Sequence, residues 1–234
     1  MEPGSGLGKI RDINLNMQLL EQTKDFILDA VFPRYCIWCK KEGALLCERC
    51  FSLWTPRQMQ GIQGSRGIDL HIASFAYADP VVNQLIRHWK YHFDEQAWEL
   101  LQRKLRMEWP LVREIAHGHR LDAIVPLSLH YKRGAERGFD QAEVLAGDLG
   151  QYLQMPVSRY LQRSRETGKQ ADRKTEDRKK EMKENPFIAR GYLDGARLLL
   201  VDDVWTTGST ASAATEALRA AGAEKVICYT IAQG

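Results

Sequence analysis

Two clusters in this chain have residue types and spacings that could do chemistry. The first is "LLLVDDVWTTGST", residues 198–210. Asp202 and Asp203 follow four apolar residues, and two like charges side by side are costly to desolvate unless something binds them or water reaches them. Thr206, Thr207, Ser209 and Thr210 then offer hydroxyls around Gly208, which lets backbone amides approach a ligand closely. If the acids end a strand and the turn opens a helix, the helix contributes the positive end of its dipole and the turn becomes a phosphate cradle. The lysine of a P-loop is missing. Two acids ahead of such a cradle suit the vicinal hydroxyls of a sugar, so the ligand described is a 5-phosphoribosyl group. Both acids are expected at a solvent-facing strand end.

The second cluster is Cys36, Cys39, Cys47 and Cys50, spaced C-x2-C-x7-C-x2-C. Each pair can grip one ion with two thiolates, and four thiolates complete a closed, structural tetrahedral zinc site. In a reducing compartment such clusters hold metal more often than disulfides. Cys228 stands alone in an apolar run and reads as a small buried hydrophobe. His88 and His92 are four apart on a predicted helix, but no third ligand accompanies them.

The elements that must position these groups can be read from the surrounding pattern. "HIASFAY", "LDAIVPLSL", "ARLLLVDDV" and "EKVICYTIA" are short, nearly unbroken apolar runs, and helical segments separate them. That order predicts a parallel sheet with helices on both faces. Asp79 and Pro80 open one helix, residues 94–109 continue as helix up to Pro110, and further helices start near 140 and near Ser209, the last closed by Gly222. The acids then lie at the carboxyl edge of a central strand, where ligands bind in open α/β sheets. The expected organisation is an N-terminal tail and helix over 1–32, a zinc module over 33–56, a linker over 57–69 and the α/β domain over 70–234.

Hydrophobic residues make up 44% of the chain, enough for a core, and the formal net charge of +3 leaves any nucleic-acid contact to local charge. Lys40 and Lys41 lie among the cysteines. The segment 159–184 is nearly devoid of apolar residues and richer in Lys and Arg than in Asp and Glu. Lys40, Lys41, Lys169, Arg173, Lys174 and Lys179 are candidate DNA contacts, with no aromatic platform evident nearby. No apolar run is long enough to span a membrane, and Glu21, Lys24 and Asp25 break up the apolar residues of the N-terminus. The chain reads as cytoplasmic.

"VDDVWTTGST" resembles the PRPP-binding motif of type I phosphoribosyltransferases. Together with the four cysteines, the pair Lys90–Tyr91 and "VPLSLHYKRGAERGFDQAEVLA", it is similar to the ComF family of competence-associated proteins, over about 32–231. The sequence departs from that family at Asp140, where an amide is usual, and at Ser128, where proline is common. The resemblance implies an α/β, type I phosphoribosyltransferase-like parallel sheet preceded by the small four-cysteine zinc module. It implies PRPP with Mg²⁺ as ligand, a pyrophosphate loop carrying Lys132, Arg133 and Arg137, and Gln141 either touching the ribose or supporting a helix cap. It also implies a lid over 163–183, with Gln170 and Arg178 at matching positions. Catalytic roles fall to Asp202, Asp203, Arg133 and Arg137. The implied setting is natural transformation, with single-stranded DNA and a competence helicase among the partners. No acceptor-binding site is recognisable, so phosphoribosyl transfer and a non-catalytic DNA-handling or helicase-partner role both stay open.

Overall fold

The computed structural model describes residues 33–57, 62–64, 67–127, 140–163 and 185–234. The chain forms two compact units, Met1–Thr55 and Pro56–Gly234. The described part of the first is small and hangs on hydrogen-bonded turns. Cys36 N–H donates to Lys41 O at 2.8 Å, Lys40 N–H to Cys36 O at 2.9 Å, and Ile37 N–H to Leu45 O at 2.9 Å. One short helix, α1 (Glu48–Leu53), follows Cys47. Cys36, Ile37, Leu45, Leu46, Cys50, Phe51 and Trp54 are the buried apolar residues of this described part.

The second unit is built on a five-stranded sheet of order β1-β2-β7-β6-β3. The strands are β1 (Ile62–Gln63), β2 (Leu70–Ala76), β3 (Ala123–Pro126), β6 (Arg197–Trp205) and β7 (Lys225–Gln233). Only β1 runs antiparallel to its neighbour in this sheet, so Ile62–Gln63, within the expected linker, supply one edge. The pair β4 (Leu161–Arg163) and β5 (Phe187–Ala189) forms a separate antiparallel ribbon.

Alternation along β6 and β7 explains why both faces are apolar. Leu198, Leu200, Val226 and Cys228 join Ala211, Ala214 and Leu218 of α5 (Ser209–Ala220) in one core, which Phe187 also enters. Cys228 is fully buried, as its apolar setting predicts. On the opposite face α3 (Glu95–Gly118) and α4 (Gln141–Leu153) cover the sheet. There Trp109 Nε1–H of α3 donates to the Tyr229 hydroxyl at 3.1 Å, and Ser74 Oγ lies 2.8 Å from the same oxygen. Burial pushes the Tyr229 phenol up to about 12.

Helix α2 (Pro80–His92) begins as its sequence predicts. Asp79 Oδ1 accepts from Val81 N–H at 2.9 Å and Val82 N–H at 3.0 Å, and Pro80 stands at the first position. Phe93, at φ 54°, ends it, and Asp94 caps α3 through Gln96 N–H at 3.1 Å. The expected stop at Pro110 is corrected: α3 runs through it to Gly118. Proline in a helix interior costs about 3 kcal/mol. Here its ring is on the exposed side, while Leu105, Trp109, Val112 and Ala116 continue the buried stripe past it. Packing outweighs propensity.

His71 on β2 is 3% exposed, with Nε2 at 3.0 Å from Thr230 Oγ1 and its ring stacked on Trp205 at 4.0 Å between centroids. Burial lowers its pKa from 6.5 to about 4. Its contribution to stability is therefore fully present above pH 6.5 and is lost as pH falls toward 4, by up to about 3 kcal/mol. Chemical denaturation across this range should show a shallower decline for His71→Gln than for the parent; parallel curves would mean that His71 folds in its charged form.

Candidate functional site

Strand β6 delivers Asp202 and Asp203 to the carboxyl edge of the sheet, and the chain turns directly into α5. Alternation separates the two acids. Asp202 lies with Cys228 and Thr230 beneath the turn, lining a shallow cavity of about 30 Å³ that Trp205, Thr206 and Gly208 complete. That space admits water and little more, so a sugar phosphate would lie over the exposed mouth. Asp203 is turned toward α2, where its Oδ2 meets Lys90 Nζ at 2.6 Å.

The turn has the form the sequence predicts. Gly208 sits at φ 71°, a conformation other residues adopt at a cost, and a Cβ there would lie 2.2 Å from the Trp205 ring. Glycine is thus required twice, by the backbone and by the indole beneath it. Thr206, Thr207, Ser209 and Thr210 are exposed, and Thr207 Oγ1 lies 3.0 Å from Ser209 Oγ. No side chain caps α5. Ser209 N–H reaches Thr207 Oγ1 at 3.4 Å, and the next amides of α5 and its dipole are available to an anion.

Electrostatics at the acids differ from the solvent-facing pair that the sequence suggests. Both are half-buried, and the Asp203 side chain is 13% exposed. Burial pushes the Asp202 carboxyl well above the usual carboxylate range, and the neighbouring Asp203 charge pushes it the same way. The Asp203 amide, which donates to Asp202 Oδ1 at 2.8 Å, and the Lys90 charge act against that rise, while Asp140 adds to it.

Asp140 and Gln141 bring the start of α4 to the same edge, since Asp140 is among the charges felt by Asp202. Asp140 caps α4, accepting from Ala142 N–H at 2.9 Å and Glu143 N–H at 3.3 Å. Capping therefore belongs to Asp140 rather than Gln141. Gln141 is 2% exposed, and its Nε2 has no hydrogen-bond partner among the described residues. A buried orphan donor costs about 1–3 kcal/mol, which a ligand oxygen would recover. Lys132, Arg133, Arg137, Gln170, Arg178 and the expected lid beyond Arg163 lie outside the described residues. Strand β3 ends at the same edge, with Leu127 N–H donating to Val201 O at 2.8 Å.

Sequence reasoning missed Lys90 as a site residue, along with the Trp205 and Thr230 side chains. Trp205 lies inside the motif already quoted, so its place was available to notice. Lys90 is brought to Asp203 only by tertiary structure.

In the first unit, the sulfurs of Cys36, Cys39, Cys47 and Cys50 all lie within 4.8 Å of one another. Cys39 Sγ and Cys47 Sγ are 3.7 Å apart, close to the edge of about 3.8 Å that a tetrahedron with zinc–sulfur arms of about 2.3 Å requires. The donor set fits zinc, and none of the four is in a disulfide. Metal analysis of purified protein should find about one zinc per chain, and Cys36→Ser with Cys39→Ser should destabilise this unit; equal folding without metal would contradict the assignment.

Comparison with known proteins agrees with this geometry. Residues 140–234 match the family described as "Phosphoribosyl transferase domain". The chain is 32% identical over 152 residues to Competence protein F of Haemophilus influenzae, covering 62% of this chain and 65% of that one. It is 31% identical over 192 residues to DNA utilization protein YhgH of Escherichia coli, covering 80% and 79%. The chain belongs to the ComF family. YhgH of Salmonella typhimurium is 28% identical over 193 residues, with the same coverage. This ComF-type chain thus joins a phosphoribosyltransferase-type parallel sheet to a four-cysteine module. Among the described residues no helix is long and apolar enough to cross a membrane.

The raised Asp202 carboxyl carries a consequence for stability. Ionising it in the folded chain is costly, so its contribution is fully present below its ordinary pKa of 3.8 and is lost as pH rises through the raised folded value. Asp202→Asn should therefore raise the thermal midpoint at neutral pH, and the gain should vanish below about pH 4. A lower midpoint at neutral pH would show that the ionised carboxylate is stabilising.

Proposed function

We propose that this chain binds PRPP with Mg²⁺ at the carboxyl edge of its sheet and acts in the cytoplasm in the uptake of DNA during natural transformation. The observation that carries the ligand reading is the uncapped start of α5 beside a half-buried acidic pair. An anion and a diol satisfy those two features together. The amides and hydroxyls of residues 206–210 would donate to the 5′-phosphate. Asp202 and Asp203 would accept from the ribose hydroxyls, and the orphaned Gln141 amide would meet a sugar oxygen. Lys132, Arg133 and Arg137 would meet the diphosphate. Mg²⁺, when bound with PRPP, would neutralise the diphosphate as it departs.

Phosphoribosyl transfer suits this arrangement because it asks the protein for little covalent chemistry. The bond from the anomeric carbon to the diphosphate oxygen breaks through an oxocarbenium-like state, and the acceptor takes the vacated position. Fixed charges around the sugar stabilise that state. Calorimetry should register PRPP binding in the presence of Mg²⁺. Each charged hydrogen bond contributes about 1.5–3 kcal/mol, so Asp202→Ala with Asp203→Ala should weaken binding at least about tenfold. Equally tight binding by the double variant would remove the acids from the site.

A second reading, handling of single-stranded DNA with or without a helicase partner, is favoured by a specific feature of the cysteine module. The expectation that no aromatic platform lies near Lys40 and Lys41 is corrected. The structure exposes Trp38 by 49% and Tyr35 by 54% in the same module. A base can stack on such rings while the lysines meet phosphate, and stacking contributes about 1–3 kcal/mol per base. Trp38→Ala should lower affinity for single-stranded DNA about tenfold, and binding should weaken steeply with salt. Salt-insensitive binding, or none at low salt, would leave protein partners as the reading for this surface.

A further inference from the structure

Lys90 reaches the acidic pair from a different element, and its placement is firmly fixed. Helix α2 buries Val81, Val82, Leu85, Ile86 and Trp89. Trp89 stacks on Trp98 of α3 with centroids 4.4 Å apart, and Trp98 Nε1–H donates to Asp148 of α4 at 3.0 Å. Lys90 follows Trp89 directly, so its stem leaves a clamped backbone. Its side chain is 19% exposed and its ammonium stands 2.6 Å from Asp203 Oδ2.

The groups facing Asp202 show what that ammonium does. From β6 comes the Asp203 carboxylate, from β7 the Cys228 thiol, and from the start of α4 the Asp140 carboxylate. From α2 comes the Lys90 ammonium, a cation that acts on Asp202. Asp140 Oδ1 accepts at the α4 cap, and the carboxylate still contributes its charge. Without Lys90, three carboxylates would share a half-buried edge.

We propose that Lys90 is a positioning residue of this site: its ion pair with Asp203 orients that carboxylate to accept hydrogen bonds from a sugar diol, and its charge eases the ionisation of the neighbouring Asp202. Its consequence for binding rests on the phosphoribosyl reading above; its effect on the charge of Asp202 does not. Lys90 touches no reacting atom in this role. It acts through Asp203, and Arg at position 90 preserves the charge while Met removes it with little change in length.

The test follows the carboxylates directly. Protein labelled with ¹³C at the aspartate carboxyls is titrated by NMR as parent, Lys90→Met and Lys90→Arg. The midpoint of Asp202 should rise by about one pH unit in Lys90→Met, and Lys90→Arg should restore it. PRPP affinity, measured by calorimetry between about pH 5 and 9, should be lost in Lys90→Met mainly at the acidic end and recover toward the alkaline end. A purely structural role would lower affinity equally at every pH, and that result with unchanged titration overturns the proposal. An unmoved Asp202 midpoint overturns it whether or not PRPP binds. A shifted midpoint with no PRPP binding in any variant upholds the charge role of Lys90 and overturns the phosphoribosyl reading instead. Lys90→Gln carries the same comparison should Lys90→Met fail to fold.

Discussion

A carboxyl group held half-buried beside a second carboxyl must be compensated, and the surroundings of Asp202 and Asp203 are arranged around that cost. The parallel sheet brings β6 between β3 and β7, so the acids emerge at an edge flanked by other strand ends. Compensation at Asp203 comes from Lys90, and at Asp202 it comes in part from the Asp203 amide. The compensation is incomplete, since the Asp202 carboxyl still resists ionisation. A folded chain keeps such a group where binding demands it, because stability alone would favour an uncharged residue.

The same edge shows how polar groups are distributed for an anion and a diol together. Gly208 permits a backbone conformation in which α5 begins without a side-chain cap, and Trp205 fills the space where any larger residue would project. His71 stacks on that indole and meets Thr230. The turn thus rests on a rigid aromatic floor, and its hydroxyls remain outside. Rigidity matters here because prepaid order at a phosphate site reduces the entropy lost on binding.

Much of this was legible in the chain because the signals are local. Unbroken apolar runs such as "RLLLV" predict buried parallel strands, Asp79–Pro80 predicts a helix start, and paired C-x2-C spacings bring four sulfurs into one cluster. Where the signal is tertiary, the sequence misleads or is silent. Pro110 reads as a stop, yet it lies on the solvent side of a helix whose buried stripe continues. Gln141 reads as either a ribose contact or a cap support; Asp140 takes the cap and leaves the Gln141 amide orphaned. Lys90 belongs to the site only because α2, clamped by Trp89 on Trp98, aims it at Asp203. The exposed rings of Trp38 and Tyr35 likewise depend on which side of a small module faces outward.

The central claim is that the start of α5 and the acids before it form one ribosyl phosphate site. Its most direct test is an amide NMR titration of the full chain with ribose 5-phosphate, which carries the phosphate and the diol without the diphosphate. The account predicts saturable shifts centred on the amides of residues 206–211 and on Asp202 and Asp203, with no comparable shifts in the cysteine module. Saturable shifts confined to other residues, or none at millimolar sugar phosphate, would contradict it.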